Sequence, residues 1–203
     1  MTVLDGARVI AIVRYRRPSD LEATVDALHA AGILVEITVD TPGALDAIAA
    51  AAGRGVPIGA GTVVAAEDVR ACADAGARFV VSPGLVDDVV ETALELDIEP
   101  LPGVATATEL MRARMLGART CKVFPAATLG GPSFIRALRS PFPDARLVAV
   151  GGVGIEDIRS YLDAGAAAIA LGGGLVGAEP PADDAALAAL ADRAAAAAEA
   201  ARR

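Results

Sequence analysis

Ile33-Leu34-Val35-Glu36-Ile37-Thr38-Val39-Asp40 is a β-branched run whose second half carries a polar side chain at every other position. A strand sends successive side chains to opposite faces, so Val35, Ile37 and Val39 turn one way and Glu36, Thr38 and Asp40 the other. Similar short β-rich runs stand at 9–13, 57–60, 79–81, 98–101, 120–124, 147–150 and 167–171, roughly 20 to 25 residues apart, which makes eight in all. Stretches of helical spacing fill the gaps. Ser19-Asp20 precede Leu21, Val25 and Leu28, and Thr108-Glu109 precede Met111 and Met115.

Strands that alternate with helices require right-handed crossovers and a parallel sheet, and eight such units in 203 residues fit an α/β fold of the (β/α)8 TIM-barrel type. An open doubly wound sheet is the competing architecture. Its dinucleotide form needs a glycine-rich turn after the first strand, where this chain reads Arg14-Tyr15-Arg16-Arg17-Pro18. A chain of this length buries roughly 70% of its unfolded surface in one core. One domain over residues 1–203 is therefore expected, closed by an Ala-rich helix at about 180–203 that serves packing.

A net charge of -8 with a pI near 4.7 leaves no basic surface for nucleic acid or an anionic membrane, so small molecules are the expected partners. No stretch is apolar enough to span a bilayer, and the N-terminus lacks a basic start followed by an apolar run. Cys72 and Cys121 are too few for a disulfide framework and read as small buried hydrophobes, which suggests a reducing cytoplasm. His29, the single histidine, reads as packing or surface. A zinc site built from several histidines is excluded, and no metal or other cofactor is expected.

Of the 18 lysines and arginines only one is a lysine, Lys122. The alternation of Thr120-Cys121-Lys122-Val123-Phe124 points Lys122 and Phe124 into the barrel, with Cys121 and Val123 toward the helices. Glu36 is aimed inward as well. An ionised ammonium is costly there unless it is paired or loses its proton. An unperturbed lysine has a pKa near 10.4, and lowering it by about three units takes roughly 4 kcal/mol of differential environment. A desolvated barrel interior supplies that, and the resulting amine can attack a carbonyl to give a Schiff base, which arginine cannot do. A structural Lys122-Glu36 ion pair is the plainer reading and is compatible with the catalytic one.

Other candidates cluster at the strand ends, where barrel enzymes place their sites. Gly151-Gly152-Val153-Gly154 and Gly172-Gly173-Gly174 follow the last two strands, where backbone N-H groups and a helix start often hold phosphate. Tight turns alone also call for glycine. Arg14, in phase with Ile10 and Ile12, can clamp a carboxylate or make a surface salt bridge. Gly59-Ala60-Gly61-Thr62, Ser82-Pro83-Gly84 and Pro102-Gly103-Val104 leave room for a ligand above the barrel.

Over residues 12–176 the chain resembles the bacterial 2-keto-3-deoxy-6-phosphogluconate and 4-hydroxy-2-oxoglutarate aldolases. The resemblance rests on Ala31-Gly32 through Glu36-Ile37-Thr38, Gly59-Ala60-Gly61-Thr62-Val63, Val81-Ser82-Pro83-Gly84, Pro102-Gly103-Val104, Lys122-Val123-Phe124-Pro125-Ala126 and Gly151-Gly152-Val153, in that order. It implies a metal-free class I aldolase, usually a homotrimer, that cleaves a 2-keto-3-deoxy-6-phospho sugar acid to pyruvate and glyceraldehyde 3-phosphate. By the same resemblance Lys122 is the Schiff-base lysine and Glu36 the general acid/base. Phe124 and Pro83 wall the pyruvate pocket, Thr62 bonds near the carboxylate, and Gly151, Gly152, Gly172 and Gly173 hold the phosphate.

Three departures bear on the substrate. Asp40 replaces an arginine that many relatives use for the substrate carboxylate, which leaves Arg14 as the clamp. Val150 and Gly173 replace a threonine and a serine of the phosphate site, so an unphosphorylated 2-keto-4-hydroxy acid is also admitted. The strings Ala149-Val150-Gly151-Gly152-Val153 and Ala105-Thr106-Ala107-Thr108-Glu109 look closer to the 6-phosphogalactonate branch. A phosphosugar isomerase on the same barrel, or a keto-acid-binding assembly without turnover, would lack a use for an inward lysine on the sixth run.

Overall fold

The computed structural model describes residues 4–17 and 20–202. Residues 1–3 of the expected domain, Pro18, Ser19 of the first helix-start signal, and Arg203 at the expected end of the last helix lie outside them. The strands are β1 Val9–Val13, β2 Leu34–Thr38, β3 Ile58–Gly61, β4 Phe79–Val81, β5 Glu99–Leu101, β6 Gly103–Val104, β7 Thr120–Val123, β8 Arg146–Val150 and β9 Ala168–Leu171. The helices are α1 Leu21–Ala30, α2 Ala44–Gly53, α3 Ala66–Asp74, α4 Asp87–Glu95, α5 Ala107–Met115, α6 Pro132–Arg139, α7 Ile158–Asp163, α8 Gly173–Val176 and α9 Asp184–Arg202.

All strand pairs are parallel, in the order β5-β4-β3-β2-β1-β9-β8-β7-β6. The two end strands of that order are consecutive in the chain, so the ring closes through the chain itself. Eight expected runs become nine strands because Pro102 interrupts the fifth. Before Pro102 the segment pairs with β4, and after it with β7, where the Lys122 amide donates to the Pro102 carbonyl at 2.9 Å and the Phe124 amide to that of Val104 at 3.2 Å. A residue without an N-H suits the point where the ladder changes partner. Gly103 is required there, since a Cβ would fall on the Pro83 carbonyl.

The alternation read from the sequence sorts the core into two layers. Ile10, Leu34, Phe79, Val81, Leu101, Val148, Val150, Ala168 and Ala170 fill the barrel, and Leu4 packs with them. Their strand neighbours, among them Val35, Ile37, Cys121 and Val123, pack against the helices. Phe79 reaches across to Gly59, where a Cβ would collide with its ring. The upper interior is left to polar residues.

Helix starts follow local capping. Asp20 caps α1 by accepting from the Ala23 amide at 3.0 Å, and Leu21, Val25 and Leu28 are buried as expected. The cap of α5 is Thr106, two residues before the expected start, and Glu109 bonds back to the Ala105 amide at 2.9 Å. Met111 and Met115 do not form the inner face of α5. Leu110 and Ala113 do, while the methionines are 52% and 85% exposed. The tail helix α9 lies against α1, α7 and α8 through Leu190, Ala194, Ala197 and Ala201, and Arg193 donates to the Leu175 carbonyl at 2.7 Å. No described helix is long and apolar enough to cross a membrane.

Candidate active site

A cavity of about 650 Å³ opens where β1, β2, β3, β7, β8 and β9 end. All ten sequence-selected residues line it: Arg14, Glu36, Thr62, Pro83, Lys122, Phe124, Gly151, Gly152, Gly172 and Gly173. Residues more than a hundred positions apart converge because each ends a strand of one closed parallel ring.

Lys122 and Glu36 rise from β7 and β2 into the base of this cavity, and both are buried, at 8% and 2% exposure. Glu36 leans over Gly61, where a Cβ would overlap its carboxylate, so the glycine creates the space the acid occupies. Burial pushes the Glu36 carboxyl up from 4.5 to about 7, opposed by the charges of Lys122 and Arg14. Burial also pulls the Lys122 ammonium below its ordinary range, opposed by Glu36 and reinforced by Arg14. Among the described residues no direct ion pair joins Lys122 to Glu36, so the plain structural pair is not what is seen. The Lys122 Nζ instead stands 4.8 Å from the centre of the Phe124 ring. An acid held near neutrality beside a desolvated amine is suited to moving protons around a carbonyl that the amine attacks.

Arg14, just past β1, turns toward β2 and β3. Its guanidinium bonds Thr62 Oγ1, reaches Thr38 Oγ1 at 3.4 Å and pairs with Asp40 at 3.5 Å. Asp40 was expected to face the barrel interior, but β2 ends at Thr38 and its side chain is 57% exposed. The strand alternation no longer governs a residue beyond the ladder. Both Arg14 and Asp40 are half exposed, so their pair is weak and leaves the guanidinium open to an incoming carboxylate.

Phe124 follows β7 and stands at the rim, 38% exposed. It packs over Gly151, whose φ of +94° suits glycine and whose Cβ would meet the Phe124 ring at 2.9 Å. Gly152 is likewise left-handed, with φ of +72°. Gly172, Gly173 and Gly174 are not: none has positive φ, and a Cβ on any of them would meet nothing within 4 Å. Turn geometry thus explains the first glycine cluster and leaves the second as open wall. Arg16 also lines the cavity. It was not singled out from the sequence, because it lies beyond β1, where periodicity gives no direction.

Known proteins resemble this chain in both sequence and fold. The profile of an aldolase family described as "KDPG and KHG aldolase" matches residues 1–188. The 2-dehydro-3-deoxy-phosphogluconate aldolase of Pseudomonas aeruginosa is 39% identical over 164 residues, which cover 79% of this chain and 74% of that one. The 2-dehydro-3-deoxy-6-phosphogalactonate aldolase of Escherichia coli is 38% identical over 172 residues, 82% of this chain and 83% of that one. Among solved structures, a native KDPGal structure superposes with a TM-score of 0.86 at 34% identity, covering 96% of this chain and 94% of that one. The KDPG aldolase of Legionella pneumophila, with pyruvate captured at low pH as a covalent carbinolamine intermediate, gives 0.78 at 28% identity over 98% and 94%.

Proposed function

This chain belongs to the KDPG and KHG aldolase family, and on that premise we propose that it cleaves a 2-keto-3-deoxy-6-phospho sugar acid to pyruvate and glyceraldehyde 3-phosphate through a Schiff base on Lys122. The observation that carries this reading is the single lysine of the chain, buried at the cavity base beside a carboxyl raised to about 7.

The neutral Lys122 amine adds to the C2 carbonyl to give a carbinolamine. Glu36 protonates the departing hydroxyl, and loss of water leaves the protonated imine. The Glu36 carboxylate then takes the C4 hydroxyl proton as the C3-C4 bond breaks. The electron pair of that bond passes into the imine, giving the enamine of pyruvate and free aldehyde. Protonation at C3 and hydrolysis release pyruvate and restore the amine. Arg14 and Thr62 hold the carboxylate, while Phe124 and Pro83 wall the pyruvyl group. The backbone at Gly151, Gly152, Gly172 and Gly173 receives the distal phosphate.

Cleavage of 4-hydroxy-2-oxoglutarate to pyruvate and glyoxylate uses the same steps. Val150 in the lining, and the 38% identity to a 6-phosphogalactonate aldolase, favour the galacto-configured acid as the second reading. Residues 1–203 act in this reading as one catalytic domain. Leu94 lies beside Gly117, just past the end of α5, and the exposed side chains Leu94 and Leu96 of the α4 end and Met111 and Met115 of α5 suit contact with further copies in a homotrimer. The unpaired buried Cys72 and Cys121 suit the cytoplasm.

Incubation with pyruvate and sodium borohydride, read by intact mass and peptide mapping, tests the mechanism. One reduced pyruvyl adduct on Lys122 is expected, absent from Lys122→Arg together with retro-aldol turnover. A folded wild type that forms no adduct, or turnover that survives Lys122→Arg, overturns it.

A further inference from the structure

The cavity has two ends with different chemistry. Toward β2, β3 and β7 lie Arg14, Glu36, Thr62 and Lys122. Toward β8 and β9 the lining at 150–153 and 170–178 is glycine or apolar side chain throughout. Nothing in those two stretches can offer a side-chain donor to an anion. The segment after β1 supplies what they lack.

Its residues are tied to the far side of the cavity on either side of Arg16. The Tyr15 hydroxyl donates to the Val176 carbonyl at 3.2 Å, and Arg17 pairs with Glu179 at 3.7 Å. Residues 15–17 therefore run alongside 176–179, and Arg16 lines the cavity together with Gly177 and Ala178. Its two arginine neighbours are engaged, Arg14 with Thr38, Thr62 and Asp40 and Arg17 with Glu179. Arg16 has no hydrogen bond or ion pair with any described residue. In a chain of net charge -8, an unpaired guanidinium on an otherwise uncharged wall is a place prepared for an anion.

We propose that Arg16 binds the distal anionic group of the substrate, a phosphate, and so sets the preference for phosphorylated over unphosphorylated acids. This rests on the aldolase reading of the site and deepens it. One short segment then carries two cations for the two ends of one molecule, Arg14 for the carboxylate beside Glu36 and Arg16 for the phosphate beside Gly172 and Gly173. The planar fork of Arg16 takes the part that hydroxyl side chains would otherwise play on this wall.

The test compares wild type, Arg16→Gln and Arg16→Lys on 2-keto-3-deoxy-6-phosphogluconate and on its unphosphorylated counterpart. In Arg16→Gln the KM for the phosphorylated acid should rise about 10- to 100-fold, with kcat within about threefold and the KM for the unphosphorylated acid unchanged. Arg16→Lys should recover part of the loss. A KM that rises equally for both acids, or for neither, overturns the assignment. Pyruvate trapping on Lys122 keeps the two readings apart, because pyruvate has no distal group. Arg16→Gln should trap pyruvate as wild type does, and a wild type that does not trap it defeats the aldolase mechanism instead.

Discussion

At the residue scale, Glu36 is where the fold and the chemistry oppose each other. Its carboxyl is raised from 4.5 to about 7, chiefly by burial, so the native state holds the proton more tightly than the unfolded chain does. Between those two values each rise in pH therefore lowers native stability, with the full cost present above about 7 and none below 4.5. Glu36→Gln removes that cost. In urea unfolding the variant should exceed wild type by on the order of 2 to 3 kcal/mol at pH 8 and lose this advantage near pH 4. An advantage independent of pH would show that the carboxyl is not the source. The same variant should lose most of its turnover, while wild-type kcat/KM should fall as pH rises above about 7, because the acid form that protonates the departing hydroxyl is lost. Lys122 and Glu36 were legible in the sequence because strand alternation is strict and the chain has one lysine. Asp40 was misplaced, and Arg16 unmarked, because both lie past the last ladder pair, where no period fixes direction.

At the element scale, the barrel depends on a strand shared between two neighbours. Pro102 separates β5, held by β4, from β6, held by β7, and Gly103 passes against the Pro83 carbonyl. A side chain at position 103 must displace backbone, not a flexible tip. Gly103→Ala should cost about 2 kcal/mol or more of stability and lower kcat by shifting β7 under Lys122, as thermal melts and steady-state rates would show. An unchanged melting temperature would mean that the seam yields freely. Seven of the eight expected runs each correspond to one strand, because β-branched residues and flanking turns mark them locally. The break in the fifth was hidden, since 98–101 and Pro102-Gly103-Val104 read separately as a strand and its exit. Only the partners on either side reveal one continuous passage. The α5 start was misread for a similar reason: Thr106 and Thr108 are chemically equal candidates, and the reach of Glu109 to Ala105 decides between them.

At the scale of the whole molecule, the exposed methionines mark the outer surface of α5. Met115 at 85% and Met111 at 52% exposure leave apolar side chains on the outside of α5, and Leu94 and Leu96 at the end of α4 are exposed at 41% and 40%. Helical spacing fixes which residues share a face, and not what that face meets. Burial of these four side chains between copies would remove a cost that monomers bear individually. If the proposed trimer packs through these residues, Met111→Asp combined with Met115→Asp should lower the mass seen by light scattering to that of a monomer, with helix content retained. A double variant of unchanged mass would place the interface elsewhere.

The ammonium of Lys122 is sunk below the rim, and every other basic side chain of the chain apart from His29 is a guanidinium. The outer surface therefore offers no lysine to glycation by reducing sugars or to amine-selective cross-linkers. Apart from the α-amino group, the one amine such reagents can find is Lys122, at the base of the cavity. On the proposed mechanism, damage by amine-selective reagents is recorded as loss of working sites and not as a scarred exterior.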